Sequence, residues 1–291
     1  MNSLFNEIST HLTNLFERSS LDKEVLQSVA EKIHYDFLPL VLLTNTIERI
    51  YSKPRGYAGD FLMIEGIYNN EPSGVGRVGP FIDELFLEMP PARAVRNRRH
   101  LIMKALHECK EKANKGKLNI TSLASGPARE IFEYLEMTDV TSTIPRFNLV
   151  DLDLESLAYV ENKANRHKVR KHLNLFHGNL VKLITGRDVI NLPPQNFVYS
   201  IGLIDYFNDK FVISLLNYVY NLLAEDGVVM LGNFHIKNPT KSLMDHILDW
   251  KLIHRDEGNM HALFEKSHFK GRDVKIIYDE EGINMFASCA K

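Results

Sequence analysis

Apolar residues in the first part of the chain recur at every third or fourth position. Val25, Val29 and Ile33 are one such series, and the intervening positions are mostly polar. Residues with this spacing lie on one face of a helix, where they can be buried together. The pattern therefore predicts that residues 1–115 form a helical N-terminal domain, interrupted by loops rich in glycine and proline.

Short apolar runs alternate with helical patterns from about residue 118 to residue 235. This regular alternation is typical of a doubly wound α/β fold with a mostly parallel sheet, in which ligands bind at the carboxyl ends of the strands. The tail differs, because Val274–Asp279 and Asn284–Ala290 alternate apolar and polar residues around a turn at Gly282. That pattern predicts an antiparallel hairpin. A sheet domain is therefore expected over residues 116–291, with a helical insert at about 238–268.

The first apolar run, at residues 118–123, ends in the small residues Ala124, Ser125 and Gly126, and a helical pattern opens at Arg129. A tight turn of small residues lets a ligand approach the backbone, and the free N–H groups of the first helical turn face it. We predict ligand binding at these three small residues, with Arg129 beside the ligand. The alternative for Arg129 is an exposed surface arginine.

The second apolar run ends in an acid, Asp151, followed by Leu152 and Asp153. A carboxylate at the tip of the second strand, about 20 residues after such a turn, is placed to accept hydrogen bonds from ribose hydroxyls. We predict this role for Asp151, with Leu152 at the same site. Asp153 is predicted to cap the next helix, and helix capping is also the alternative for Asp151.

Two further strand ends supply candidate binding residues. Gly178, Asn179 and Leu180 follow the third apolar run, where they could form a loop beside an adenine ring. Ser200 and Gly202 follow the fourth run in the same way. All five are therefore predicted to line the ligand-binding edge of the sheet.

Composition and charge exclude several classes of function. The net charge of −2 argues against a nucleic-acid partner, which usually needs a basic face. The two cysteines are far apart in sequence, which predicts no metal site and fits a reducing cytoplasm. Residues 1–18 lack the basic start and apolar core of a signal peptide. No apolar run approaches the ~20 residues of a membrane span. A cytoplasmic location with no membrane span is therefore expected.

This combination of features resembles the class I S-adenosylmethionine (SAM) methyltransferases. The shared features are a parallel sheet closed by an antiparallel hairpin, a small-residue turn after strand 1 and an acid after strand 2. The resemblance implies a seven-stranded Rossmann-like fold and SAM as the cofactor. An NAD-dependent enzyme is disfavoured, because the turn contains one glycine where a dinucleotide fingerprint has three.

Several short segments are similar to a narrower group, the bacterial methyltransferases of 3-hydroxypalmitic acid methyl ester (extracellular factor) biosynthesis. The similarity covers about residues 50–290 and rests on the segments at 56–61, 94–99, 125–130, 202–206 and 249–255. It implies a fatty acid methyl ester product, formed by O-methylation of a carboxylic acid. A carboxylate acceptor arrives already charged, so it needs a cation or hydrogen-bond donors rather than a general base.

The acceptor site is predicted from residues near the ends of strands 4 and 5 and from two arginines. Asp205 and Tyr206 follow strand 4, where this fold usually binds the acceptor; the alternatives are a capping acid and a packed aromatic. His235 follows strand 5 and could act as a base for a hydroxyl or amine, although a lone histidine is more often structural. Arg96 and Arg255 are the candidate cations, with structural salt bridges as the alternative.

The loop at Gly56–Phe61 completes the predicted site. Its two glycines demand a particular backbone, and such loops often fold over a neighbouring site. Tyr57 and Asp60 are predicted to close over the acceptor, which would make the helical domain a lid. A turn that packs two helices together is the alternative.

Two other functions stay open at this stage. One is O- or N-methylation of a different small molecule, and the other is a non-catalytic regulatory protein that binds SAM or a nucleotide. The set of Gly126, Asp151, Asn179 and Asp205 favours an enzyme, because a degenerate regulatory copy would be expected to lose part of it.

Overall fold

A computed structural model describes residues 2–112, 118–138 and 145–291, with side chains from residue 7 onward. The contacts divide the chain into two compact units. The first comprises Met1–Arg96, Lys237–Leu252 and Glu280–Ile283, and the second comprises Asn97–Ile236, Ile253–Asp279 and Asn284–Lys291. The predicted boundary at residue 115 lies outside the described residues. The predicted division into a lid and a SAM-binding domain stays a prediction.

Twelve helices and seven strands are found in the described part of the chain. The helices are α1 (Asn2–Arg18), α2 (Lys23–Val41), α3 (Asn45–Ser52), α4 (Phe61–Asn69), α5 (Val78–Leu87), α6 (Pro90–Lys112), α7 (Arg129–Met137), α8 (Leu154–Arg166), α9 (Leu180–Ile184), α10 (Asp209–Leu222), α11 (Lys241–His246) and α12 (Glu257–Glu265). The strands are β1 (Asn119–Leu123), β2 (Arg146–Asp151), β3 (Leu173–His177), β4 (Gln195–Ser200), β5 (Leu223–Phe234), β6 (Val274–Tyr278) and β7 (Asn284–Ala290). None of the described helices is long and apolar enough to cross a membrane.

The second unit is a seven-stranded sheet in the order β3-β2-β1-β4-β5-β7-β6. The first five strands are parallel, and β7 is antiparallel to both β5 and β6. The predicted doubly wound sheet with a C-terminal hairpin is therefore confirmed, and so are the hairpin bounds to within a residue. This order puts the ends of β1, β2, β4 and β5 along one edge.

Apolar side chains fill both faces of this sheet, because successive residues of a strand point to opposite sides. In β2, Phe147 and Leu149 belong to the core cluster that contains residues of α6, α7 and α8. Val150 belongs to the cluster on the other face, which contains residues of α10 and α12. Helices therefore pack on both faces of the parallel strands.

The first unit is helical, as the sequence pattern predicts, and buried acids organise it. Asp83 is fully buried and accepts hydrogen bonds from the backbone and hydroxyl of Thr46 and from the backbone N–H of Ser73. Burial raises the pKa of Asp83. One carboxylate thus connects α3, the loop between α4 and α5, and α5 itself.

The predicted helical insert is divided between the two units. Its first part contains α11, which belongs to the first unit, where the ring of Phe16 on α1 stacks on His246 at 3.7 Å. The hydroxyl of Ser242 also donates a hydrogen bond to Glu17. The second part contains α12, whose start is stabilised by a capping box between Asp256 and Asn259.

Candidate cofactor and acceptor site

The turn after β1 is held in an unusual backbone conformation. Ala124, Gly126 and Ala128 have φ angles of 53°, 53° and 51°, in the left-handed region. Each alanine costs on the order of 1–2 kcal/mol there, because its Cβ approaches the backbone. Such strain persists only where the surrounding structure determines the conformation, and it is concentrated at functional sites. The strained backbone therefore marks this turn as a candidate binding site.

Asp151 fixes this turn to the end of β2. One carboxylate oxygen accepts a hydrogen bond from the Gly126 N–H at 2.8 Å, and the other accepts one from the Asp153 N–H at 2.9 Å. Burial raises the pKa of Asp151, and these backbone hydrogen bonds act in the opposite direction. An ionised carboxylate has about four acceptor positions, so capacity for ligand hydroxyls remains. The ribose-binding role of Asp151 stays a prediction that this geometry can accommodate.

Ser125, in the middle of the turn, provides the test of whether a ligand fits here. Its side chain is 7% exposed, and its hydroxyl has no hydrogen-bond partner in the described structure. A buried polar group without a partner costs about 1–3 kcal/mol. A polar group of a bound cofactor would remove this penalty, so the turn fits a ligand that carries hydrogen-bonding groups.

The loop after β3 lies beside the same acid. Gly178 donates its N–H to the Asp151 carbonyl at 2.9 Å, and a Cβ on Gly178 would approach Val150 to 3.0 Å. The side-chain oxygen of Asn179 caps α9 by accepting from two backbone N–H groups, so part of this predicted ligand residue is used locally. Leu180 is half-buried.

An exposed apolar side chain is present at the tip of β2. Leu152 is 58% exposed and directly follows the predicted ribose-binding acid. Its carbonyl oxygen lies 3.0 Å from Nε2 of His177, at the end of β3. The cofactor-binding role of Leu152 stays a prediction.

The predicted residues after β4 mainly fix loops. The Ser200 hydroxyl donates to the Leu123 carbonyl at 2.7 Å, which joins the ends of β4 and β1. Asp205 is buried and accepts a hydrogen bond from the Phe234 N–H at 2.6 Å. Burial raises the pKa of Asp205 to about 6. Tyr206, by contrast, is 37% exposed, so its side chain remains accessible to a ligand.

Arg255 is engaged entirely within the protein. Nη1 donates to the Ile204 carbonyl and to the side chain of Asn233, and Nη2 donates to the Phe207 carbonyl. Nη2 and Nε both donate to Asp209. These contacts use all five donors of a guanidinium. The geometry therefore does not favour the predicted contact with an acceptor carboxylate. Arg255 instead stabilises the loop after β4 through the carbonyls of Ile204 and Phe207.

The predicted residues of the first unit have local partners as well. Arg96 donates to the Leu87 carbonyl at 2.7 Å. Asp60 caps α4 and accepts a hydrogen bond from Nε of Arg49 at 2.9 Å, which explains its burial without a ligand. Tyr57 is 42% exposed. The acceptor roles of Tyr57 and Arg96 stay predictions.

His235 belongs to a three-residue array that the sequence pattern does not reveal. The imidazole Nε2 lies 3.3 Å from a Glu257 carboxylate oxygen, and the Tyr278 hydroxyl donates to the other oxygen of Glu257. The hydrogen bond from Tyr278 is the largest cause that lowers the pKa of Glu257 to about 2. His235 directly follows β5, Glu257 lies in α12 and Tyr278 lies in β6, so only the folded chain brings them together. The predicted role of His235 as a base is not tested by this arrangement.

Two buried charged residues near the loops after β1 and β4 are also absent from the sequence-based prediction. Glu130 is 1% exposed in the first turn of α7 and accepts a hydrogen bond from the Tyr199 hydroxyl at 2.7 Å. Burial raises the pKa of Glu130 to about 7. Arg98 on α6 is 5% exposed, and a Cβ on Gly202 would lie 2.9 Å from its Nη1. The only available hint was that both lie within the segments that carry the family resemblance.

The fold is similar to those of solved proteins at low sequence identity. No curated protein matches the chain. A protein described as a possible exported protein from Bordetella parapertussis has a TM-score of 0.61 and 16% identity, covering 100% of this chain and 97% of that chain. The CurJ carbon methyltransferase has a TM-score of 0.60 and 10% identity, covering 99% and 79%.

A third structure, magnesium protoporphyrin IX methyltransferase from Synechocystis PCC 6803 with bound S-adenosylhomocysteine (SAH), has a TM-score of 0.55 and 10% identity, covering 84% and 98%. At these identities the likeness shows the fold alone. The family itself is shown by a sequence model described as "Putative methyltransferase", which matches residues 58–285. Because this match spans most of the chain, the protein belongs to that methyltransferase family.

Proposed function

We propose that the protein is a SAM-dependent methyltransferase, with SAM at the Ala124–Gly126 turn and its ribose on Asp151. The family and the fold support SAM as the cofactor. The observation that carries the proposal is the strained turn, which is bound to the acid of β2 and contains the unpartnered hydroxyl of Ser125. Gly178, Asn179 and Leu152 are assigned to the adenine end.

SAM supplies a methyl group on a sulfonium, which is a good leaving group. The protein then has to align the acceptor with this methyl group and exclude water, and these two effects dominate such a transfer. The strained turn and its hydrogen bond to Asp151 are assigned to the cofactor side of the site. Tyr206, half-exposed after β4, is assigned to the acceptor side.

For the acceptor we propose a carboxylic acid, of small or lipid-like structure, that becomes a methyl ester. The similarity of short segments to the 3-hydroxypalmitic acid methyl ester group supports this choice. A carboxylate needs no base, whereas a hydroxyl or amine acceptor would need one. The second candidate is therefore O- or N-methylation of another small molecule, and it is favoured by His235 beside Glu257, a pair that can accept a proton.

Calorimetry on Asp151→Ala tests the cofactor assignment. Loss of a carboxylate that binds ribose hydroxyls should make the free energy of SAH binding less favourable by about 1.5–3 kcal/mol. This corresponds to a loss of affinity on the order of 10- to 100-fold. The matched control is Asp153→Ala, which removes the cap of α8 from the same loop. The control should lower the unfolding temperature and leave SAH affinity within about twofold. Unchanged SAH affinity in Asp151→Ala would remove Asp151 from the site.

Transfer of a labelled methyl group tests the acceptor assignment. The wild-type protein is incubated with methyl-labelled SAM and a panel of carboxylic acids that includes 3-hydroxypalmitic acid. An ester product releases labelled methanol in alkali, whereas an ether or an N-methyl product does not. Alkali-stable label would favour the second candidate. SAH binding without transfer to any acceptor class would favour the regulatory alternative.

A further inference from the structure

We infer that Arg98 binds the methionyl carboxylate of SAM and SAH. This inference rests on the proposal that SAM lies at the turn after β1, and it deepens that proposal by assigning the amino-acid end of the cofactor. Nothing in the sequence pattern or in the family match assigns Arg98 a role.

The first support is that the Arg98 side chain is buried while its Nε has no hydrogen-bond partner. Its side chain is 5% exposed, and its Nε has no hydrogen-bond partner among the described residues. Arginine is almost never this buried unless it is paired, because desolvation of a charge is costly. Its neighbour on α6, Arg99, shows the usual arrangement, with two hydrogen bonds to Glu133 at 2.9 and 3.1 Å. A bound anion would supply the hydrogen-bond partner that Nε of Arg98 lacks.

The second support is the position of the guanidinium. Nη1 would lie 2.9 Å from a Cβ built on Gly202, so the guanidinium lies directly against the loop after β4. It also interacts electrostatically with Glu130, in the helical turn that follows the cofactor turn, and with Asp205. Arg98 is thus near the loops after β1 and β4, at the edge where this class of fold binds ligands.

The two nearby acids, Glu130 and Asp205, accept their hydrogen bonds from groups other than the Arg98 guanidinium. Glu130 accepts its hydrogen bond from Tyr199, and Asp205 accepts its own from the Phe234 backbone. Burial raises the pKa of Glu130 to about 7, so its negative charge is weakened near neutral pH. Gly202 has no side chain, and a Cβ at this position would crowd the guanidinium of Arg98 at 2.9 Å from Nη1. The site therefore retains positive charge and donors for an incoming anion.

A carboxylate is the anion that matches this site in the proposed complex. The planar guanidinium binds carboxylates through two parallel hydrogen bonds, which fixes orientation as well as position. SAM carries one carboxylate, at the end opposite to its adenine. With ribose on Asp151 at the end of β2, the other end of SAM can extend towards β4, which lies on the opposite side of β1 in the sheet. The unpartnered Ser125 hydroxyl lies on the β1 turn between them.

The test compares two ligands that differ only in the carboxylate. One is SAH, and the other is its decarboxylated analogue, 5′-deoxy-5′-(3-aminopropylthio)adenosine. Calorimetry is performed on the wild type, Arg98→Met, Arg98→Lys and the control Arg99→Met. We expect Arg98→Met to bind SAH about 10- to 100-fold more weakly than the wild type does, because SAH loses a charge-assisted contact. Its affinity for the analogue should stay within about twofold of the wild-type value. Arg98→Lys should fall between, and Arg99→Met should bind both ligands like the wild type.

Each other outcome overturns the inference in a recognisable way. An equal loss for both ligands in Arg98→Met means that Arg98 only supports the structure. Unchanged SAH affinity excludes the methionyl carboxylate and leaves the acceptor carboxylate as the anion for Arg98. If Arg98→Met does not fold, the Lys variant decides by the same comparison. A wild-type protein that binds neither ligand overturns the proposed function together with this inference, whereas binding of both with equal affinity overturns the inference alone.

Discussion

Glu130 shows how a single buried acid can link pH to the stability of the site. It lies in the first turn of α7, and the Tyr199 hydroxyl is its hydrogen-bond donor. Burial raises its pKa from 4.5 to about 7, so between these pH values the folded protein holds a proton that the unfolded chain has released. Stability from this group is complete below pH 4.5 and is lost as the pH rises towards 7.

We therefore predict that Glu130→Gln removes a pH-dependent part of the stability. The rise to about 7 corresponds to about 3 kcal/mol. Urea unfolding between pH 5 and 8 should show the wild type losing stability relative to the variant as the pH rises. Glu133→Gln, on the same helix, is the control and should follow the wild-type pH dependence. Parallel stability curves for the wild type and Glu130→Gln would contradict the assignment.

Residues like these are also where prediction from sequence stops. The turn at Ala124–Gly126 and the acid Asp151 could be located from spacing alone, because small residues and acids at strand ends form a local pattern. Arg98 and Glu130 could not be assigned, because a charged residue on a helix is usually exposed, and only packing shows that these two are buried. The five internal contacts of Arg255 could not be predicted either, since they come from separate segments.

At the scale of elements, a polar network crosses the centre of the apolar sheet. The Asn148 amide on β2 lies 3.1 Å from the side-chain oxygen of Gln195, which also accepts from the Thr121 hydroxyl at 2.8 Å. Asn174 on β3 donates to the Asn148 side-chain oxygen at 2.9 Å. Side chains of four neighbouring strands are thus connected. Buried polar groups are costly unless they are hydrogen-bonded, and these side chains supply one another's partners.

Asn148→Ala should therefore destabilise the protein strongly. It removes the central member, which is 2% exposed, and leaves partners on three strands incompletely bonded. We expect a loss of about 2–4 kcal/mol in the free energy of unfolding, measured in urea. Asn174→Ala, at the edge of the network, should cost about 1 kcal/mol. Similar losses for the two variants would show that the network does not act as a unit.

The elements themselves were largely predictable, and their exceptions have a common cause. Strand ends and the hairpin follow from alternation of apolar and polar residues, which depends on local geometry. The sequence pattern predicts one helical insert at about 238–268. The structure has two helices there, of which α11 belongs to the first unit and α12 to the second. Helical periodicity shows that an apolar face must be buried, and it does not identify the surface that buries it. The contacts among His235, Glu257 and Tyr278 could not be predicted for a related reason, because these residues lie in three separate parts of the sequence.

At the scale of the whole molecule, the helical unit is assembled from separate segments. Residues 1–96 form it together with 237–252 and 280–283. Arg93 in the first segment donates two hydrogen bonds to Glu281 in the third, at 2.8 and 3.1 Å. A truncation of residues 1–115 would therefore remove the partners of α11 and of Glu281. Loss of activity in such a truncation could not distinguish a missing lid from a damaged fold, so a point variant is needed.

We predict that Tyr57→Ala lowers the rate of methyl transfer and leaves SAH affinity within about twofold. Tyr57 is 42% exposed in a loop whose glycines, Gly56 and Gly59, have φ angles of 83° and 84°. A side chain that closes over the acceptor acts on alignment and water exclusion, so its loss affects turnover rather than cofactor binding. Tyr35→Ala is the control, since Tyr35 is 72% exposed on α2 of the same unit. The measurement is transfer of labelled methyl to a carboxylic acid, with SAH affinity from calorimetry. A normal rate in Tyr57→Ala would exclude the lid, and an equal fall in SAH affinity would place Tyr57 at the cofactor instead.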